Sequence, residues 1–190
     1  TRDDRILEAT GLLFAGGLLN LRLYFQVGLP TETSEDLEAI PALAKRIKHV
    51  MISQAKKKDR LGDITLSISP FVPKPGTPFQ WEAMEDYREL AGKIKHIKRA
   101  LARVGNINVI NDVPKYSYIQ GILARGDRRV GELLLKTLQS GGDWMAALKE
   151  VNLNPDFYVR RRRDVDEVLP WDHIDTGVPK EHLRNIHVLK

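Results

Sequence analysis

The sequence predicts an α/β fold with a helical tail. Three observations predict it. Leu21 to Val27 and Ile64 to Ser69 each alternate apolar and polar residues, as half-buried strands do. Each run ends in a Gly/Pro turn that leads toward a helical pattern, and two such units in series suggest parallel strands. From Tyr116 onward the pattern is helical alone. Ligands of parallel α/β folds sit at the carboxyl ends of the strands, so the two turns are the first places to look for function.

Arg5 to Leu19 carries Ile6, Leu7, Leu13, Phe14 and Leu18 in a loose helical stripe, which Gly16 and Gly17 weaken or end. In the first strand Leu21, Leu23, Phe25 and Val27 alternate with Arg22, Tyr24 and Gln26. A barrel strand lining a cavity has this pattern, and so does an ordinary half-buried strand. Gly28-Leu29-Pro30 turns the chain. Thr33 to Asp36 then read as an N-cap and an acidic first turn. The following helix runs through Leu37, Ile40, Leu43, Ala44 and Ile47, and Pro41 fits it only near its start. Residues 56–60 are read as a charged loop.

In the second strand Ile64, Leu66 and Ile68 alternate with Thr65, Ser67 and Ser69. Pro70 to Pro78 holds four prolines and is too rigid for a helix. A long amphipathic helix is predicted over Glu82 to Val104, with Leu90, Ile94, Ile97 and Leu101 on one face. Ile107 to Ile110 is a short third strand candidate. Helices are predicted near Ile119 to Leu123, Val130 to Leu138, Trp144 to Val151 and Glu181, with Gly126-Asp127 and Gly141-Gly142 as punctuation. The domain boundary falls where alternation gives way to helices, which divides the chain into residues 1–112 and 113–190.

Composition narrows the chemistry. Hydrophobic residues are 42% and charged residues 29% of 190, ordinary for a soluble globular chain. The net charge of +5 permits anionic partners without arguing for them. Cysteine is absent, which excludes disulfides, thiolate zinc sites, cysteine nucleophiles and iron–sulfur ligation by this segment. His49, His96, His173, His182 and His187 lack metal-ligand spacing and are read as surface or partly buried residues, so no metal site is expected. No apolar run is long enough to span a bilayer, and nothing resembles a signal peptide, so a cytoplasmic location and no membrane partner are expected. The chain opens without Met and directly into a helical pattern, so a piece of a longer polypeptide is expected.

The turn at Gly28-Leu29-Pro30 could serve a ligand in two ways. Glycine lets a ligand approach the backbone, and a helix start offers amides and a positive dipole to an anion. A capped strand-to-helix turn with no ligand has the same sequence. At Ser69 to Pro78, Phe71 and Val72 could present an apolar wall to a flat ring, or the loop could close over the sheet end. Arg160 to Arg163 could touch phosphates, although a solvated face paired with Asp164, Asp166 and Glu167 is the simpler reading.

The wording itself carries a resemblance. YFQVGLPTET at Tyr24 to Thr33 is similar to the penultimate barrel strand of radical S-adenosylmethionine enzymes. SPFVPKPGTPFQW at Ser69 to Trp81 resembles the strand and loop that follow in that superfamily. Arg125-Gly126-Asp127-Arg128-Arg129 and Leu169-Pro170-Trp171-Asp172-His173-Ile174 resemble downstream signatures of a subgroup with a cobalamin-binding domain. The resemblance implies the last strands of a partial (β/α) barrel over residues 1–112, with a mainly helical extension over 113–190. It implies a parent iron–sulfur enzyme in which a [4Fe–4S] cluster reduces S-adenosylmethionine to a 5′-deoxyadenosyl radical, with cobalamin a further cofactor of the subgroup. The cluster ligands are absent here, so this chain alone is expected to be inactive.

By the same resemblance Val27 and Gly28 lie near the cofactor's adenine and amino-acid moieties, and Phe71 and Val72 supply backbone contacts to adenine. Tyr24, Gln26, Ser67 and Ser69 are candidates for the cavity wall. No catalytic acid or base is assigned, and the substrate is unknown. The implied partner is the missing amino-terminal part of the barrel. Two strands without it leave an open edge and an uncovered apolar face, so self-association is expected. Two other classes stay open: a non-catalytic domain whose basic tail binds nucleic acid or protein, and an unrelated phosphate-binding α/β enzyme.

Overall fold

A computed structural model describes residues 3–55 and 61–188. The charged run at 56–60 lies outside the described residues. The chain divides into two compact units, one of residues 1–70 and 88–113 and the other of residues 71–87 and 114–190.

The first unit is α/β. Helix α1 (Asp3–Ala15) leads into strand β1 (Leu21–Val27), and α2 (Ser34–Ala55) connects it to β2 (Ile64–Pro70). Helix α3 (Tyr87–Leu101) then precedes β3 (Ile107–Asn111). The three strands form one parallel sheet in the order β1-β2-β3, with Tyr24 opposite Ser67, Gln26 opposite Ser69 and Ser67 opposite Ile110. Ile107 to Ile110, a candidate in the sequence, is thus a true strand, and β2 is the central one. Sequential order with right-handed crossovers puts both connecting helices on one face. That face is the apolar one. Ile64, Leu66 and Ile68 are fully buried there, whereas Arg22, Tyr24 and Gln26 on the other face are exposed.

The first core is completed by Ile40, Leu43, Ala44, Ile47 and Met51 of α2, and by Leu90, Ile94, Ile97 and Leu101 of α3. These helices bury the apolar face of β2 fully, whereas Leu21, Leu23 and Phe25 of β1 stay half-buried. The start of α2 is a reciprocal cap. Thr33 Oγ1 accepts from the Asp36 amide at 3.3 Å, and Asp36 Oδ2 accepts from the Thr33 amide at 2.9 Å. Pro41 departs from the sequence expectation, since it lies inside α2 beyond the first turn and is buried. Lacking an amide hydrogen, it leaves the Leu37 carbonyl without its helical donor.

The second unit is helical: α4 (Pro114–Arg125), α5 (Val130–Gln139), α6 (Trp144–Glu150), α7 (Pro155–Val159) and α8 (Lys180–Val188). Sequence periodicity did not pick out α7. It is marked by its ends, with Asn154 Oδ1 accepting from the Asp156 amide at 3.1 Å and Pro155 at the first helical position. Trp81, Leu169 and Leu183 form a buried cluster, with Trp171 packed against it.

The helix predicted over Glu82 to Val104 starts late, at Tyr87, and ends early, at Leu101. Its expected first turn pairs elsewhere. Met84 donates its amide to the Val159 carbonyl at 2.8 Å, and the Trp81 carbonyl accepts the Arg163 amide at 2.7 Å. Residues 80–84 are thereby bound into the second unit as turns and irregular chain.

Candidate functional site

In the first unit a cleft of about 800 Å³ lies at the carboxyl end of β1. Tyr24, Phe25 and Gln26 of β1, Ser69 of β2, Leu29 to Glu32 of the turn, and Asp36 and Ile40 of α2 line it. Three of the four residues read as cavity wall are thus brought together, and the fourth, Ser67, is not among the lining residues. Alternation explains the grouping, because residues two apart on a strand share a face.

The turn after β1 is closed by its own side chain. Gly28 has φ 83°, a left-handed conformation that glycine adopts without strain, and its amide donates to Glu32 Oε2 at 2.9 Å. Glu32 Oε1 accepts from Lys93 Nζ at 2.7 Å, and the Glu32 side chain is 6% exposed. The Thr33 amide and hydroxyl hold the Asp36 carboxyl below the usual carboxylate range. Ser69 donates its hydroxyl to Asp112 Oδ2 at 2.6 Å, just beyond the end of β3. The Gly28, Thr33 and Asp36 amides at this strand-to-helix turn, which would suit an anion, are therefore occupied by the chain's own Glu32, Thr33 and Asp36. Glu32 and Asp36 line the cleft, and Asp112 holds one of its walls.

No protein-family model matches the sequence, and no solved structure matches it. The chain is similar to the uncharacterized protein MJ0966 of Methanocaldococcus jannaschii, with 34% identity over 133 residues. The alignment takes in 70% of this chain and 27% of that protein. The chain thus spans about a quarter of the length of the curated relative it matches.

The other residues carried over by resemblance lie apart in character. Val27 is fully buried at the end of the apolar face. Phe71 and Val72, 6% and 8% exposed, belong to the second unit, where the Phe71 ring meets Phe79 edge-on with centroids 5.1 Å apart. Glu32, Asp112 and Lys93 were not singled out by sequence reasoning. Glu32 carries a legible signal, an acid four residues after the turn glycine. Asp112 and Lys93 carry none, because only the crossover geometry brings them to the sheet end.

In the second unit the Arg125–Arg129 run builds a helix end. A Cβ on Gly126 would lie 2.1 Å from Val130 Cγ2 and 2.7 Å from the Ile122 carbonyl oxygen, so only glycine fits. Asp127 accepts from the Arg129 guanidinium at 2.6 Å and 3.0 Å, from the Arg129 amide at 2.9 Å and from the Tyr158 hydroxyl at 3.1 Å. Arg129 accordingly holds the Asp127 carboxyl far below its ordinary range. Burial raises the Tyr118 phenol, which also donates to Asp156 Oδ1 at 2.6 Å. Arg125 is fully buried and donates to the Glu82 carbonyl. Burial, with the charges of Arg163 and Arg161 nearby, pushes its guanidinium down to about 10.

The Arg160–Arg163 run is solvated and paired as expected at Arg160, Arg161 and Arg162, but not at Arg163. Arg160 pairs with Asp86, and Arg161 makes a forked pair with Glu167 at 2.7 Å and 2.5 Å. Arg162 reaches Glu82 at 3.5 Å. Arg163 is buried, with its guanidinium 5.1 Å from the Trp171 ring centroid. His187, also buried, sits 3.5 Å from Glu82 through Nε2 and is neither a surface nor a partly buried histidine. Among the described residues, no group of His, Cys, Asp and Glu side chains has metal-holding geometry, and no helix is long and apolar enough to cross a membrane.

Proposed function

We propose that this chain is the carboxyl-terminal part of a radical S-adenosylmethionine barrel, with a helical extension, from an enzyme that cleaves S-adenosylmethionine reductively. One observation carries the reading. In the first unit the YFQV part of that stretch ends strand β1 of a sequentially ordered parallel sheet, and Tyr24, Gln26 and Ser69 from its polar face line one cleft. Singly wound order with one polar face is what a barrel wall requires, since its lumen face carries no helices.

The donor set suits the cofactor in part. The cluster, which would supply the electron for cleavage, finds no ligand in a chain without cysteine. S-adenosylmethionine suits the cleft better. Its sulfonium and ammonium groups are cations, and Glu32 and Asp36 outweigh Lys93 around the turn. Tyr24 and Gln26 offer a ring face, a hydroxyl and an amide for orientation. Ser69 is fixed by its bond to Asp112 and so presents its oxygen in one direction. Glu32 keeps the Gly28 turn closed, so its role is positioning. The substrate and any use of cobalamin lie beyond these residues.

The test has two steps. Titration calorimetry of this chain with S-adenosylmethionine should give weak, saturable binding, and Tyr24→Ala and Gln26→Ala should each weaken it about tenfold, the worth of a lost ring contact or hydrogen bond. The open reading frame containing this segment, expressed and reconstituted without oxygen, should hold iron and sulfide and release 5′-deoxyadenosine under reduction. A product that holds no cluster and releases none would overturn the reading.

A further inference from the structure

A second cleft, of about 480 Å³, lies within the second unit, and the proposed function does not use it. Its wall is built from the Leu169–Ile174 motif, the loop around Gly76, and the start of α8. The volume is that of a small-molecule site. Trp171, Ile174, Val178 and Leu183 supply apolar surface, and Gln80 and Asp175 supply polar atoms.

Gln80 is held as a recognition group would be. It is 2% exposed, and its Oε1 accepts from Trp171 Nε1 at 2.7 Å and from the Gly76 amide at 3.2 Å. Both oxygen lone pairs are engaged, so the amide plane is fixed and its nitrogen is defined as the donor end. That nitrogen makes no hydrogen bond among the described residues, and Gln80 lines the cleft. Trp171 is pinned as well, by Gln80 at its edge and by the Arg163 guanidinium over its ring. Asp175 uses Oδ1 to accept the Gly177 amide at 2.8 Å, which leaves Oδ2 as an acceptor. Lys180 Nζ is bonded to Asp172 Oδ2 at 2.6 Å and to the Glu167 carbonyl at 2.9 Å, so its charge is already matched by Asp172.

We infer that this cleft binds a neutral, planar nitrogen heterocycle, a nucleobase or its nucleoside. Such a ring matches an indole wall, accepts from a fixed amide and donates to a carboxylate along one edge. With Asp172 matched by Lys180, a phosphate on the same ligand would meet the further carboxylate of Asp175 and weaken binding.

Calorimetry and ligand-observed NMR on the full chain test it, with adenosine, guanosine, cytidine, uridine and the monophosphate of whichever binds. At least one nucleoside should bind saturably, and its monophosphate about tenfold more weakly. Ile174→Asp and Val178→Asp, at positions 58% and 43% exposed, should each remove binding while leaving the circular dichroism melt intact. Tyr24→Ala, in the first cleft, should leave it unchanged. No saturable binding of any nucleoside up to about 5 mM would overturn the inference, since a preorganised site of this size should exceed millimolar affinity. So would binding that both aspartate variants retain, or binding that Tyr24→Ala removes.

Discussion

Glu32 shows how one side chain can decide what a turn is able to bind. Its two oxygens take the Gly28 amide and the Lys93 ammonium from a nearly enclosed position. Glu32→Ala would leave that amide without its acceptor and remove the carboxylate facing Lys93. Chemical denaturation should show a loss of about 2–4 kcal/mol, the range for breaking a buried, hydrogen-bonded pair. Glu32→Gln keeps an acceptor and should lose about half as much. Asp127 gives a pH signature instead. Arg129 depresses its folded-state pKa, so its contribution is complete above the unfolded carboxylate value of about 4 and disappears as pH falls through the folded value. The group is partly exposed, so the contribution is on the order of 1 kcal/mol after screening. Asp127→Asn should flatten the fall in stability below about pH 4 and leave its slope near neutrality unchanged. An unaltered acid limb in the variant would show that Asp127 contributes no such term.

At the scale of elements, α2 carries an internal defect. Pro41 removes one helical hydrogen bond, and its ring crowds the Leu37 carbonyl. Pro41→Ala should raise stability by about 1–2 kcal/mol in urea titration, the helix-interior gain less the entropy that proline removes from the unfolded chain. A loss of stability would mean that the buried ring packs better than alanine can. Pro41 also shows where the sequence stopped being legible. Propensity placed proline near a helix start, but the packing of Ile40, Leu43, Ala44 and Ile47 carries the helix through it. Strands β1 and β2 were legible because alternation has a period that few other structures share. The start of α3 was not, because Glu82 to Asp86 have helical composition, yet the Met84 amide bonds to Val159 and the Asp86 side chain pairs with Arg160, both far along the chain. The cleft residues Tyr24, Gln26 and Ser69 followed from alternation, whereas Asp112 was reachable only once β3 paired beside β2.

At the scale of the whole molecule, the sheet ends in an unpaired edge. Among the described residues β1 pairs only with β2. Leu21 donates its amide to the Asp63 carbonyl at 3.0 Å, so the amides of odd-numbered residues face β2. The amides of Arg22, Tyr24 and Gln26 therefore face outward, a row of donors ready to meet another strand. In an intact barrel a preceding strand would take them, and in this chain a second copy can. A net charge of +5 on 190 residues is too small to oppose such contact at moderate ionic strength. Sedimentation velocity across a concentration series should show reversible association of the full chain. Arg22→Pro removes one outward amide without touching the β2-facing ones, and proline is tolerated on an edge strand. That variant should shift the distribution toward monomer while retaining the helical signal. A wild-type chain that stays monomeric at every concentration would mean that the β1 edge is protected, and the barrel-wall reading would lose its physical corollary.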